Sequence, residues 1–311
     1  VYVSTNYVII SPCRNEAEYM RKTLDSVVGQ SVLPTLWVIV DDGSTDATPN
    51  ILSEYANNYP FIQVVTRQNR GHRSVGPGVI EAFYEGLDSI DLKQFDFLCK
   101  LDLDLIMPPR YFETLITRMT ANPRLGNCSG KPYFIDKVTG NLVSEGCGDE
   151  NAIGASKFYR RECFEEIGGF VRQVMWDGID GHRCRQLGWI AMSWDEPDIR
   201  FTHLRPMGSS QQNIITGRIR HGFGQYFMGT GFIYMFVSGI YRMTRAPYVI
   251  GGLAMMWGYL KSWVTRVPRF EDTDLSTFIR KYQWACLLKG KKKATDELNS
   301  VQEEVWLQRH G

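Results

Sequence analysis

The chain of 311 residues has no Cys-x-x-Cys pair. Its seven cysteines, Cys13, Cys99, Cys128, Cys147, Cys163, Cys184 and Cys286, are odd in number and widely scattered. That argues against a disulfide framework and against a cysteine zinc site. Long apolar runs are also lacking. Stretches 226–241 and 248–260 are apolar and aromatic, but each is shorter than a membrane span. The apolar run at 7–10 is too short for the core of a signal peptide and has no basic region before it, so a cytoplasmic location is the default expectation. Internal repeats and low-complexity linkers are missing as well, and nucleic acid is not among the expected partners.

A 43% hydrophobic content is enough for one large or two modest domains with a buried core. The formal net charge of +1 hides an uneven distribution. From Arg200 onward there are 16 Lys and Arg against 7 Asp and Glu, which leaves 19 against 27 before it. An acidic front part suits cation binding. A basic, aromatic back part suits anionic phosphates or a membrane surface.

Strand and helix patterns alternate four times at the start. Apolar runs at 7–10, 36–40, 61–66 and 95–101 read as strands. Between and after them, Ala17, Met20, Leu24, Val27 and Val28, then Ile51 to Tyr59, then 79–87, and then Phe112, Leu115, Ile116 and Met119 fall at helical spacing. Pro49 suits a first helical turn. Such alternation predicts an α/β fold with a mainly parallel sheet flanked by helices, whose ligands bind beyond the carboxyl ends of the strands. Stretch 126–154 is Gly-rich and irregular, and helical signals return at 160–167 and 180–187. The expected division is a catalytic domain over 1–215 and a helical, aromatic-rich, basic region over 216–311. The two apolar segments of that region read as interfacial or re-entrant membrane helices, or as core helices that close the domain, the first reading being preferred.

Chemistry concentrates at strand ends. In Lys100-Leu-Asp-Leu-Asp104, two carboxylates two positions apart terminate an apolar strand and are expected to point the same way. Mg2+ or Mn2+ commonly binds one or two carboxylates together with substrate phosphates, so Asp102 and Asp104 are candidate metal ligands. An EF-hand reading fails because Met107 stands at the required glycine position. Asp41-Asp-Gly-Ser-Thr-Asp46 fits a turn and helix cap. A strand-end carboxylate there, Asp41 or Asp42, also suits a base N–H, and with Pro12, Arg14, Asn15 and Glu16 after the first strand it outlines a nucleotide pocket. Arg218 and Arg220 are candidates for gripping diphosphate or a lipid phosphate, with a plain basic helix face as the alternative.

Ser11-Pro-Cys-Arg-Asn-Glu16, Val40-Asp-Asp-Gly-Ser-Thr-Asp46 and Leu101-Asp-Leu-Asp104 together resemble the family 2 glycosyltransferases of GT-A fold. The resemblance covers about two thirds of the chain, and it implies a Rossmann-like sheet and an inverting, metal-dependent transferase. The donor would be a nucleotide-diphosphate sugar, contacted by the residues of the three motifs, Lys100 and Asp102 included. The acceptor would be a glycan or a lipid-linked glycan, reached at the inner face of the cytoplasmic membrane. In that family an Asp of a later acidic motif deprotonates the acceptor. Here the motif reads Trp176-Asp-Gly-Ile-Asp180, so the base is Asp177 or Asp180, with Asp177 preferred from its spacing to Gly188-Trp189. His203 resembles a third metal ligand. Gly76-Pro-Gly78 departs from the family pattern, so no sugar contact is carried over there. The competing readings are a metal-dependent phosphatase or nucleotidyltransferase, and a non-catalytic nucleotide-sugar-binding or membrane-scaffold protein.

Overall fold

The computed structural model describes residues 6–71, 74, 76–136, 139–205, 213–245 and 247–311. The chain divides into two compact units, 1–169 with 190–206, and 170–189 with 207–311.

The first unit is built on β1 (Tyr7–Cys13), α1 (Met20–Val28), β2 (Leu36–Asp41), α2 (Thr48–Asn58), β3 (Ile62–Thr66), α3 (Pro77–Asp88) and β4 (Phe97–Leu101). It continues through β5 (Leu105–Ile106), α4 (Tyr111–Ala121), β6 (Leu125–Ser129), β7 (Pro132–Ile135), β8 (Leu142–Ser144), β9 (Ser156–Arg160) and α5 (Arg161–Glu166). After α6 (Trp176–Gln186), which belongs to the second unit, β10 (Ile190–Ser193) and β11 (Phe201–His203) return to the first.

The main sheet has seven strands in the order β10-β6-β9-β4-β1-β2-β3. Strands β3, β2, β1 and β4 are parallel, and β9 runs antiparallel between β4 and β6. The first strands read as continuous apolar runs because both faces of the sheet are covered. On β1, Tyr7 and Ile9 join Trp37, Ile39, Phe112 and Leu115 in one buried layer. On the other face Gly86 of α3 lies so close to Ile10 and Val40 that a Cβ there would come within 2.8 Å of each. The helix can approach only because that position has no side chain.

Stretch 126–154, expected to be irregular, instead contributes most of β6 and all of β7 and β8. Strand β6 is Leu-Gly-Asn-Cys-Ser, poor in β-branched residues, and its complete burial is a property of the sheet around it. A second, four-stranded sheet in the order β5-β11-β7-β8 follows. It pairs His203 with Leu105 in antiparallel register, which lays the end of β11 beside the Asp102–Asp104 turn.

The second unit holds α6, α7 (Ile214–Phe227), α8 (Phe232–Met243), α9 (Ile250–Val264), α10 (Thr273–Lys289) and α11 (Lys291–His310). Helix α6 begins four residues before the expected 180, with Asp177 in its first turn. Asn213 caps α7 by accepting the Thr216 amide, and Asp272 caps α10 by accepting the Leu275 amide, each at 2.8 Å. Glycines bring α7 and α9 into contact: a Cβ on Gly222 would lie 1.9 Å from the Met255 carbonyl oxygen, and one on Gly258 would lie 2.1 Å from that of Ile219. No helix among the described residues is long and apolar enough to cross a membrane. All seven cysteines are free thiols.

Candidate active site

The loops after β1 and β2 are stitched together residue by residue. Asn15, in the left-handed region with φ 54°, donates its amide to the Ser44 hydroxyl, while its side-chain oxygen accepts the Thr45 amide at 2.8 Å. The Glu16 amide donates to the Thr48 hydroxyl at 2.9 Å, and that of Ala17 donates to Asp46. Asp46 also accepts the Thr48 amide at 2.9 Å, which starts α2. Burial works against the Asp46 carboxylate, but the donors from Thr48 and Ala17 outweigh it and hold its pKa below the ordinary value. The turn residues read as a helix cap therefore also form a clamp between the two motifs.

Both acids at the end of β2, Asp41 within it and Asp42 just beyond, are buried and engaged. Asp41 Oδ1 accepts the Ser44 amide at 2.9 Å. Asp42 receives Arg67 at 2.8 Å, and Arg70 forks across both of its oxygens at 2.7 and 2.6 Å. Arg14 donates to the Asp42 carbonyl oxygen and, at 2.6 Å, to the Asn69 side chain. Gly43 has φ 70°, and a Cβ there would meet the Asn69 Cα at 2.4 Å, so the turn has room only for glycine. Pro12 lies within β1, paired with Val40. Arg67, Asn69 and Arg70 escaped the motif reading, although two arginines directly after a strand were visible.

The Asp102–Asp104 turn follows β4. Asp102 is one-third exposed and accepts Lys100 Nζ at 2.5 Å, and the same ammonium donates to the Gly154 carbonyl oxygen at 3.1 Å. Asp104 is buried. Its Oδ2 accepts Arg205 Nε at 2.6 Å, and Arg205 Nη2 reaches Glu16 at 2.8 Å, so one guanidinium ties the Asp102–Asp104 turn to the loop after β1. Asp104 Oδ1 is buried with no hydrogen-bond partner among the described residues. A buried carboxylate oxygen in that condition fits a hard divalent cation, which takes oxygen ligands and few protein groups. His203 is buried, with Nδ1 3.2 Å from Glu145 Oε1. Burial pushes its pKa down, but Glu145, Asp104 and Asp102 outweigh that and leave it above the ordinary value. Among the described residues no three His, Cys, Asp or Glu side chains converge as a ready-made metal cage.

The remaining candidates lie in the second unit. Asp177 is half-buried in the first turn of α6, whereas Asp180 is 1% exposed. Arg183 lies 3.7 Å from Asp272. Arg218 and Arg220 sit on α7 beside His221. Burial lowers the His221 pKa to about 4, Arg218, Arg242 and Arg220 reinforcing the shift and Asp177 opposing it. Burial also lowers the pKa of Arg220.

Residues 8–173, more than half of the chain, match the profile of Glycosyl transferase family 2. The chain belongs to that family. The three strand-end motifs all lie inside the matched region. The poly-β-1,6-N-acetyl-D-glucosamine synthase of Staphylococcus epidermidis is 29% identical over 126 residues, 40% of this chain and 28% of that protein. The chain thus aligns with less than a third of the length of that curated relative. In fold, the chain is similar to the mannosyltransferase PcManGT of Pyrobaculum calidifontis, solved with GDP-Man and Mn2+, at TM-score 0.52 and 17% identity, over 98% of this chain and 88% of that one. GalNAc-T7, solved with UDP, GalNAc and Mn2+, matches at TM-score 0.59 and 15% identity, over 94% of this chain and 56% of that one. These likenesses identify the sheet and its helices as a GT-A fold.

Proposed function

We propose that the chain catalyses inverting transfer of a sugar from a nucleotide-diphosphate sugar to a hydroxyl of a glycan or lipid-linked acceptor, at the inner face of the cytoplasmic membrane. The observation that carries the donor side is the buried, unpartnered Oδ1 of Asp104 beside the solvent-accessible Asp102. Those two carboxylates would hold Mn2+ or Mg2+, with His203 as a further ligand from β11. Bound there, the cation stabilises negative charge on the departing diphosphate. The interlocked loops after β1 and β2, with Arg14, Asn15, Glu16, Asp41 and Asp42, offer the nucleoside a rigid wall, and Lys100 offers the diphosphate a buried cation. Arg218 and Arg220 are proposed as phosphate-gripping residues.

Asp177 is the proposed base, because it is accessible at a helix start whereas Asp180 is buried. As the acceptor oxygen bonds to the anomeric carbon, the bond from that carbon to the diphosphate oxygen breaks, and the hydroxyl proton passes to the Asp177 carboxylate. Attack from the face opposite the leaving group inverts the configuration. A glycan acceptor is supported by the similarity to the poly-β-1,6-N-acetyl-D-glucosamine synthase.

The test is a thermal-shift screen of UDP-, GDP- and dTDP-sugars with and without Mn2+, since a ligand of the native state raises its apparent stability. A cation-dependent shift with one nucleotide supports the reading and names the donor class. Asp104→Asn should lose both that shift and sugar transfer while remaining folded. Unchanged turnover in that variant would sink the metal role.

A further inference from the structure

Helices α8 and α9 invert the usual amphipathic pattern. On α8, Phe232, Ile233, Phe236, Val237, Ile240 and Tyr241 are exposed, at successive offsets of one and three that trace one stripe down the helix. The opposite side of α8 buries Met235 and Gly239. On α9 the exposed residues are Ile250, Leu253, Trp257, Leu260 and Val264, again one stripe, while Gly251, Gly252, Met255 and Gly258 are buried. Glycines explain which sides are buried. A Cβ on Gly252 would lie 2.3 Å from the Gly239 carbonyl oxygen, so α8 and α9 meet along their small residues, and α7 takes the rest of the inner face of α9. Trp257 remains 59% exposed and Val264 69%, with no described residue of the unit covering them. An apolar surface of this size in a polar solvent marks a place where something else binds.

Charge says what binds. From Ile199 to Phe270 the sequence has nine Lys and Arg and not one Asp or Glu. Arg242 and Arg245 close α8, and Lys261 and Arg266 close α9. Beside the C-terminal end of α9, Tyr226, Trp263, Val264, Arg266 and Arg269 line an open groove of about 500 Å³. There the Arg269 guanidinium lies 4.4 Å over the Tyr226 ring, and its Nε is buried without a hydrogen-bond partner among the described residues. An apolar stripe with Trp and Tyr at its margins, bordered by cations and by a guanidinium group with no anionic partner among the described residues, matches the layering of an anionic bilayer: hydrocarbon, interface, phosphate.

We propose that the α8–α9 hairpin seats on an anionic phospholipid surface, its two apolar stripes sunk among the acyl chains and its Arg266–Arg269 groove holding a lipid phosphate. The hairpin lies in the interface without crossing it, since neither helix is long enough to span. This deepens the membrane-side reading of the proposed function, on which it rests.

The test is flotation of the full chain with phosphatidylcholine vesicles, with and without phosphatidylglycerol. The protein should float with the anionic vesicles. Phe236→Glu/Trp257→Glu should leave it in the soluble fraction, with melting temperature and cation-dependent donor binding unchanged, because both side chains are already in solvent. Arg266→Gln should weaken binding to the anionic vesicles about fivefold and leave binding to neutral ones unaltered. Quenching of tryptophan emission by lipids brominated along the acyl chain should fall in Trp257→Phe. Flotation of the doubly acidic variant at the wild-type level would overturn the proposal. So would a wild-type dimer in solution that the same variant converts to a monomer, since the face would then belong to a second copy. Intact donor binding with no flotation refutes the membrane seat alone, whereas flotation without donor binding refutes the transferase reading alone.

Discussion

Arg205 illustrates how one side chain can organise an acidic site. It spans Asp104 and Glu16 with two hydrogen bonds of 2.6 and 2.8 Å, and both carboxylates are buried. Removing it leaves two buried negative charges without their shared cation, a loss of about 3 kcal/mol for Arg205→Ala. Added Mn2+ should then raise the melting temperature of the variant more than that of the wild type, because a divalent ion replaces the missing positive charge. Equal shifts would mean that Asp104 is not a cation ligand. At Asp177, the proposed base, Asp177→Asn should cut transfer by about two to four orders of magnitude while leaving donor binding intact. Asp180→Asn should instead lower stability, since that side chain is inside the unit. The reverse pattern in steady-state rates and melting curves would exchange the two roles.

At the scale of elements, glycine decides which helices touch. Helices α7 and α9 approach until Gly222 faces the Met255 carbonyl, and 1.9 Å leaves no room for a methyl group. Gly222→Ala should therefore destabilise the second unit by about 1–3 kcal/mol through forced separation of the pair. Denaturant unfolding would read this as a shifted midpoint, and an unshifted one would show that the helices part without cost. Glycines also underlie the stitched loops, where Gly43 turns against Asn69, which in turn holds Arg14. The same residue type thus sets a helix interface in one unit and the packing of the motif loops in the other.

For the whole molecule, pH dependence follows from two histidines shifted in opposite directions. His221, near 4 in the folded chain against an ordinary value of 6.5, is held neutral by burial and by Arg218, Arg242 and Arg220. Between pH 6.5 and 4 the unfolded chain binds a proton that the folded chain refuses, so stability falls as pH falls, by up to about 1.4 kcal/mol per pH unit. His203, raised above its ordinary value, works the other way: its contribution is fully present below pH 6.5 and is lost as pH rises through the folded value. His221→Gln should flatten the acid limb of a stability profile measured by urea unfolding. A limb of unchanged slope would place the proton elsewhere.

The alternation of strands and helices over the first 121 residues was legible because it is carried by local apolar periodicity, and so were the acids at strand ends. Pro12, Arg14, Asn15, Glu16, Asp41, Asp42, Lys100, Asp102 and Asp104 all lie at or just beyond the ends of β1, β2 and β4, where the motifs put them. Strands β6 to β8 were not legible, because a Gly- and Asn-bearing segment becomes a strand only when neighbouring strands supply its hydrogen bonds. The Arg205–Asp104–Glu16 bridge escaped because its members are 101 and 189 residues apart along the chain. Apolar residues at 226–241 and 248–260 were plain in the sequence, but periodicity states only that a helix has an apolar face. Which face is turned inward was decided by tertiary structure, where Gly222, Gly239, Gly252 and Gly258 permit closer packing than any side chain allows and leave Phe236, Trp257 and Val264 outside.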